Sequence, residues 1–354
     1  MKLLAYTKYD REAASTRVRL LQFAPALAAA GIAIEHRPLL GNDYVRSLTG
    51  GAAASKPAIA AAYARRLADL LRRPDADLLW VYAELLPWLP AGFERLILRH
   101  RLPIVYDLDD AFFVPYAKHR RPAIRRLLGH KLEPLMRGAA AITCGNAYLR
   151  DHASQFNDNA LVVPTVVDTD CYVPTPVSLE AGPVIGWIGS PSTWVNVRPL
   201  LPLLERLHRD TGARIRVVGA GEAAAADRFD GLDLVDWTEH QEIAEVQRFT
   251  IGIMPLIDAP FQRGKSGYKL VQYMACGLPA VASPVGVNAQ IVSDGETGFL
   301  AGSEAEWDAA LRRLLGGPGL RARLGQAGRA RAVHDYSLKS QAPRLIALFR
   351  SLAP

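Results

Sequence analysis

Cysteine is scarce in this 354-residue chain: Cys144, Cys171 and Cys276 are far apart, odd in number and without a C-x-x-C pair. Neither a disulfide framework nor a zinc site is suggested, and a reducing cytoplasm fits that usage. Long apolar runs are also missing. No stretch reaches the roughly 18 uncharged apolar residues of a membrane-spanning helix, and the start MKLLAYTKYDRE meets charge too early for a signal peptide. No short-period repeat is present, and the first loop, TKYDREAAST, lacks the G-x-G-x-x-G that would bring backbone against a pyrophosphate. An ordinary dinucleotide-dependent dehydrogenase is therefore disfavoured. What remains is a globular balance, 50% apolar and 22% charged, on a chain long enough for two domains. The net charge of +7 favours an anionic partner. No recognisable nucleic-acid-binding module accompanies that charge, so nucleic acid is not the expected partner.

The first half alternates strand and helix. Lys2 to Thr7 reads as a buried strand, Ser15 or Thr16 caps a helix running to Ala30 and ended by Gly31, and Ile32 to His36 is a second strand. Arg17 and Arg19 stand at the entrance of that helix. Residues 41 to 57 read as a loop, followed by an Ala-, Arg- and Leu-rich helix to Arg73. Asp77 to Tyr82 is a strand, Ala91 to His100 a helix, and Pro103 to Leu108 a strand ending in three acids, Asp107, Asp109 and Asp110. Carboxylates at a strand's carboxyl end lie where open α/β sheets place their ligands, and their mutual repulsion raises at least one pKa. Metal binding and helix capping stay open as alternatives for this cluster. Residues 117 to 139 interleave nine basic residues with apolar ones. They read either as a helix lying on anionic lipid or as a domain helix packed on the sheet. Ala140 to Cys144, a helix from Asn146 to Phe156 and Leu161 to Pro164 follow, then a proline-rich linker, so the first domain is expected to end near residue 178.

The second half opens with the strand Val184 to Ile188 and the turn GSPST, in which Gly189, Ser190 and Thr193 offer small residues, hydroxyls and N–H groups ahead of a helix from Asn196 to Arg209. That is an anion-cradle pattern. Arg214 to Gly221, Leu232 to Trp237 and Ile251 to Leu256 read as further strands, and Trp237 marks the exit of the second of them. Lys265 to Cys276 has helical spacing with Gly277 at its end, so Arg263, Lys265 and Ser266 fall beside the expected helix start. A strand from Leu278 to Ala282 and another near Gly298 to Ala301 follow. Ser303 to Leu315 opens with a capping-box pattern, and Pro318 to Tyr336 and Ser337 to Leu352 are the last helices.

The run KLVQYMACGLPAVASPVGVNAQIVSDGETGFLAG resembles the nucleotide-sugar-binding core of the retaining GT-B glycosyltransferases called family 4. That family usually reads Glu-x7-Glu, then M-A-C-G-x-P-V-V-A, then acidic-Gly-x-x-Gly-Phe-Leu. Counting back from MACG, its two glutamates fall on Gly264 and Gln272. A glutamine amide can still hydrogen-bond a ribose hydroxyl, whereas Gly264 has no side chain to face the donor sugar. The chain is thus a divergent member, and YDLDDAFF resembles a subgroup from cell-surface polysaccharide assembly, with Asp109 where relatives carry a histidine.

The resemblance implies an α/β GT-B fold, two Rossmann-like doubly wound parallel-sheet domains facing a cleft. Residues 1–178 form the acceptor side, 182–336 the nucleotide-sugar side, and 337–354 a helix crossing back. It implies transfer of a sugar from a UDP- or GDP-sugar to the hydroxyl of a saccharide or lipid-linked acceptor, with retention and no metal or other cofactor. Asp109, Asp110 and Lys265 are the expected catalytic residues. Gly189, Ser190, Thr193, Trp237, Arg263, Ser266, Gly267, Lys269 and Gln272 are expected at the donor, and Arg17, Arg19 and Asp107 at the acceptor. The expected location is cytoplasmic, with a peripheral contact to the inner face of the plasma membrane through residues 117–139. A GT-B sugar-nucleotide epimerase and a nucleotide-sugar-binding pseudoenzyme are the alternatives.

Overall fold

The computed structural model describes residues 1–49, 54–175 and 182–353. The chain forms two compact units: Met1–Thr165 with Arg263–Ser266 and Gln341–Pro354, and Val166–Gln262 with Gly267–Ser340. The boundary expected near residue 178 lies outside the described residues.

The first unit is built on a six-stranded parallel sheet, β1 (Lys2–Tyr9), β2 (Ala33–Leu40), β3 (Leu78–Tyr82), β4 (Ile104–Leu108), β5 (Ala141–Cys144) and β6 (Ala160–Val162), in the order 2-1-3-4-5-6. Strands β3, β4 and β5 are buried along their whole length, as expected for a parallel sheet covered on both faces. The helix from Leu338 to Leu352 passes from one unit to the other, and its later part covers this sheet, with Phe349 packed edge-on against Trp80 at 5.1 Å.

The second unit carries β7 (Val184–Ile188), β8 (Arg214–Val218), β9 (Leu232–Val235), β10 (Ile251–Met254), β11 (Ala280–Ala282) and β12 (Gly298–Leu300) in the order 12-11-10-7-8-9. This is the dinucleotide-fold order, with its switch point between β7 and β10. Its core has two layers, one around Trp187, Trp194, Leu204 and Leu311, the other around Tyr273, Met274 and Phe249. The expected capping box is present: the Ser303 side chain accepts from Glu306 N–H, and the Glu306 carboxylate accepts from Ser303 N–H.

Several boundaries depart from the expected ones. The helix expected from Ser15 to Ala30 is three short pieces, Ala14–Arg19, Leu21–Phe23 and Ala24–Ala29, with Ala13 rather than Ser15 or Thr16 at the cap. Thr16 instead donates to Tyr9 O at 2.8 Å. Within the expected 41–57 loop, Asn42–Thr49 is helical, while residues 50–53 lie outside the described residues. The basic segment is no continuous helix. It breaks into Val114–Ala117, Pro122–Leu128 and Glu133–Gly138, because Pro122 and Pro134 suit first helical turns and cannot continue a helix through them.

Candidate active site

At the carboxyl end of β4 the three acids take three different roles. Asp107 is buried and pairs with the Arg19 guanidinium in a two-pronged contact, at 3.0 Å to Nε and 2.5 Å to Nη2. Thr143 donates to the same carboxylate at 2.6 Å, and Arg19 Nη1 reaches Val163 O and Thr165. Burial works against the Arg19 charge, but Asp107 more than restores it and its pKa is raised. Arg19 and Asp107, expected to face an acceptor, are therefore closed on each other inside the unit. Arg17 turns back to the carbonyl of Glu12 at 2.9 Å.

Asp109 is the unusual acid. It accepts a 2.6 Å bond from Tyr82 Oη and is almost fully buried. Burial, then the neighbouring charge of Asp110, push its pKa up to about 7, against the pull of Arg19 and the Tyr82 hydrogen bond. Asp110 is about one-quarter exposed and pairs with Lys265 Nζ at 2.8 Å. Lys265 is placed by Asn146, whose Nδ2 donates to the carbonyls of Gly264 (3.0 Å) and Lys265 (2.9 Å) while its Oδ1 caps the helix Ala147–Ala153. A Cβ on Gly264 would sit 2.6 Å from Ala111 Cβ and 2.7 Å from Ala111 N. No side chain fits there, which is a physical reason for glycine at this position.

In the second unit, small residues bring strand ends together. A Cβ on Gly189 would meet Trp187 at 2.5 Å and Lys269 Cε at 2.8 Å. Lys269 Nζ lies over the Trp187 ring, 5.4 Å from its centre. Gly219, at φ +83°, approaches Gly189 O and Trp237 so closely that a Cβ would be 2.4 Å and 3.0 Å away. Ser190 and Ser192 hydroxyls are 3.1 Å apart, and Thr193 Oγ1 donates to Ser190 O. The buried Gln272 amide donates to Glu242 (2.8 Å) and Tyr172 Oη (3.0 Å), and Trp237 Nε1 donates to the same glutamate at 2.7 Å. A carboxylate thus stands beside Gln272, supplied by Glu242.

Residues 182–316 match the family described as glycosyl transferases group 1. The D-inositol 3-phosphate glycosyltransferase of Gordonia bronchialis is 26% identical over 205 residues, 49% of this chain, and the match spans 42% of that relative's length. The α-maltose-1-phosphate synthase of Mycobacterium tuberculosis is 23% identical over 302 residues, covering 72% of this chain and 76% of its own. In fold, sucrose-phosphate synthase from Thermosynechococcus elongatus superposes with a TM-score of 0.75 at 15% identity, covering 99% of both chains. Anabaena HepE, solved with UDP and glucose, gives 0.72 at 16% identity over 99% of this chain and 100% of its own. Residues 182–316 thus carry a group 1 glycosyltransferase domain, and the chain has the GT-B fold.

The expected donor residues fall into two sets. Gly189, Ser190, Thr193, Trp237, Lys269 and Gln272 gather in the second unit around the carboxyl ends of β7 to β9. Arg263 and Ser266, together with the expected catalytic Lys265, belong to the first unit. The expected helix start also moves, since the helix is Tyr268–Ala275 with Gly267, at φ +71°, as its cap. Sequence reasoning missed Tyr82, Asn146, Glu242 and Tyr172. Asn146 had a signal, because asparagine before a helix is a capping residue. The others act through partners 27 to 100 positions away and had none.

Proposed function

We propose that this chain moves a sugar from a UDP- or GDP-linked donor to the hydroxyl of a saccharide or lipid-linked acceptor, with retention, in cell-surface polysaccharide or glycolipid assembly. The observation that carries the reading is Asp109, a buried carboxyl pinned by Tyr82 with a pKa near 7 at a strand's carboxyl end. Such a group changes charge at neutral pH. It can accept the acceptor's proton or, once ionised, stabilise a cationic sugar centre. Within the second unit, Lys269 beside Gly189 supplies positive charge for a departing diphosphate. Trp237 offers a face for the base, and the Gln272–Glu242 pair offers hydrogen bonds for the ribose. No metal enters this scheme, and activity is expected to survive EDTA.

The test is release of nucleoside diphosphate from UDP- and GDP-sugars, with the product anomer read by NMR. Turnover that falls at least about a hundredfold in Asp109→Asn supports the reading; full turnover in that variant sinks it. One observation favours a second reading. Gly264 has no side chain and the Gln272 amide is spent on Glu242 and Tyr172, as in a nucleotide-sugar-binding pseudoenzyme. Donor binding without turnover for any acceptor would establish that one.

Peripheral membrane contact rests on a narrower base. Arg121, Arg125, Arg126 and Leu127, the last 61% exposed, are displayed on and next to the helix Pro122–Leu128. No described helix is long and apolar enough to cross a membrane. Co-sedimentation with phosphatidylglycerol vesicles that is unchanged in the triple alanine variant of those arginines would remove membrane contact from the proposal.

A further inference from the structure

The switch point of the first sheet lies between β1 and β3, since β1 is followed by β2 on one side and flanked by β3 on the other. The crevice outside the carboxyl ends of these two strands is where open α/β sheets take ligands. None of the residues placed above at a donor or catalytic role fills it. Lys8 and Tyr9 stand at the end of β1 and residues 83 to 88 follow β3, with Lys8 Nζ 3.6 Å from Glu84.

The 83–88 loop is held by groups that are costly to bury. Lys131, only 1% exposed, donates to Glu84 (3.0 Å), Glu94 (2.8 Å) and Leu86 O (3.2 Å). Glu94 in turn accepts from the N–H groups of Leu85 and Leu86, each at 3.1 Å. Tyr116 Oη donates to Glu84 at 2.6 Å and accepts from Trp88 N–H at 3.2 Å. Two non-glycine residues, Ala83 at φ 63° and Trp88 at φ 62°, hold left-handed backbone, a conformation that costs free energy and persists only where the surroundings enforce it.

What this arrangement delivers is a fixed indole in solvent. Trp88 is 53% exposed, and its ring is braced edge-on by Tyr116 (5.1 Å, 73°) and His119 (6.0 Å, 84°). Across the strand ends, the Tyr9 and Tyr44 rings stack at 6.0 Å. The ammonium of Lys8 is 3.6 Å from Glu84, so the local charge is largely balanced and a phosphate would meet that carboxylate. Flat aromatic faces combined with polar groups of balanced charge suit a neutral polyol with one apolar face, which is a pyranose ring.

We infer that Trp88 is the stacking platform for a pyranose of the acceptor, bound in the β1–β3 crevice. This rests on the transferase reading above for the word acceptor, while the saccharide site stands on the geometry itself. Full-length protein labelled with fluorotryptophan would be titrated with methyl α-D-glucopyranoside, N-acetyl-D-glucosamine and maltotriose, with glycerol as control. The Trp88 fluorine resonance is identified by its loss in Trp88→Phe. A saturable shift with at least one saccharide and none with glycerol is expected. A resonance unmoved by all three sugars, or moved equally by glycerol, overturns the inference. Calorimetric affinity for the responding sugar should weaken about tenfold in Trp88→Ala, on the scale of one aromatic contact. Trp88→Gly, which suits the left-handed backbone, should weaken it as much without straining the loop; wild-type affinity in both variants overturns the platform. UDP- and GDP-sugar binding to the wild-type protein is titrated separately. Its absence alongside a saccharide response would defeat the transferase reading and leave the sugar site standing.

Discussion

The two sheets handle their ligand-side edges in opposite ways. The first unit places ionisable side chains there and buries many of them: Asp107 with Arg19, Asp109 under Tyr82, and Lys131 between Glu84 and Glu94. The second unit places glycine there, at 189, 219 and 221, and lets backbone and a single hydrogen-bonded carboxylate do the positioning. Glycine-based approach is a property of one residue and its turn, so it is written locally in the chain. Ion pairing needs two residues that only folding brings together: Arg19 and Asp107 are 88 positions apart. The glycine turns were therefore readable in the second unit, whereas the pairing of charges in the first was not.

The largest test of this contrast is Asp109→Asn, expected to lower turnover at least about a hundredfold if the first unit's charge does the chemistry. The pH dependence of folding gives an independent check. A carboxyl whose pKa is raised by folding contributes stability that is complete below its unfolded value and is lost as pH rises toward about 7. Chemical denaturation should show wild type losing stability relative to Asp109→Asn between about pH 4 and 7, by on the order of 3–4 kcal/mol. Equal slopes for the two proteins would contradict the raised pKa.

Breaking the buried pair comes next. Arg19→Met should cost about 3–5 kcal/mol of unfolding free energy by stranding Asp107. Lys265→Met, at a partly exposed pair, should cost about 1 kcal/mol or less while still reducing turnover. Similar losses for the two would erase the distinction between structural and functional charge.

A smaller effect probes the second unit. Gln272→Glu restores the family residue but sets two carboxylates side by side, because Glu242 already occupies that space. We expect a loss of about 1–2 kcal/mol at pH 8 that shrinks by pH 5 as one carboxyl takes up a proton. Unchanged stability across that range would mean that the two side chains do not meet. Smallest is Ser303→Ala, which removes one side of the capping box and should lower stability by about 1 kcal/mol with no change in turnover.

Strand positions were legible throughout because buried parallel strands are short apolar runs, as in LLWVY and IVYDL. Gly31 and Gly277 marked true ends, both taking positive φ. Helix starts were less legible. The Ala13 cap has no side-chain signal, and the helix after Gly267 begins three residues beyond Lys265. Residues 117–139 look uniformly amphipathic in the sequence, but Lys131, which counts as basic there, is a buried strut in the fold.

By itself, the sequence determined the alternation of strands and helices, the glycine turns of the second unit and the acid cluster after β4, since each depends on residues close together in the chain. Tertiary structure alone decided which acid is buried with a raised pKa, which lysine is sealed, and that Gly264 can bear no side chain. Those properties depend on burial and on partners drawn from distant strands, and a linear order carries neither.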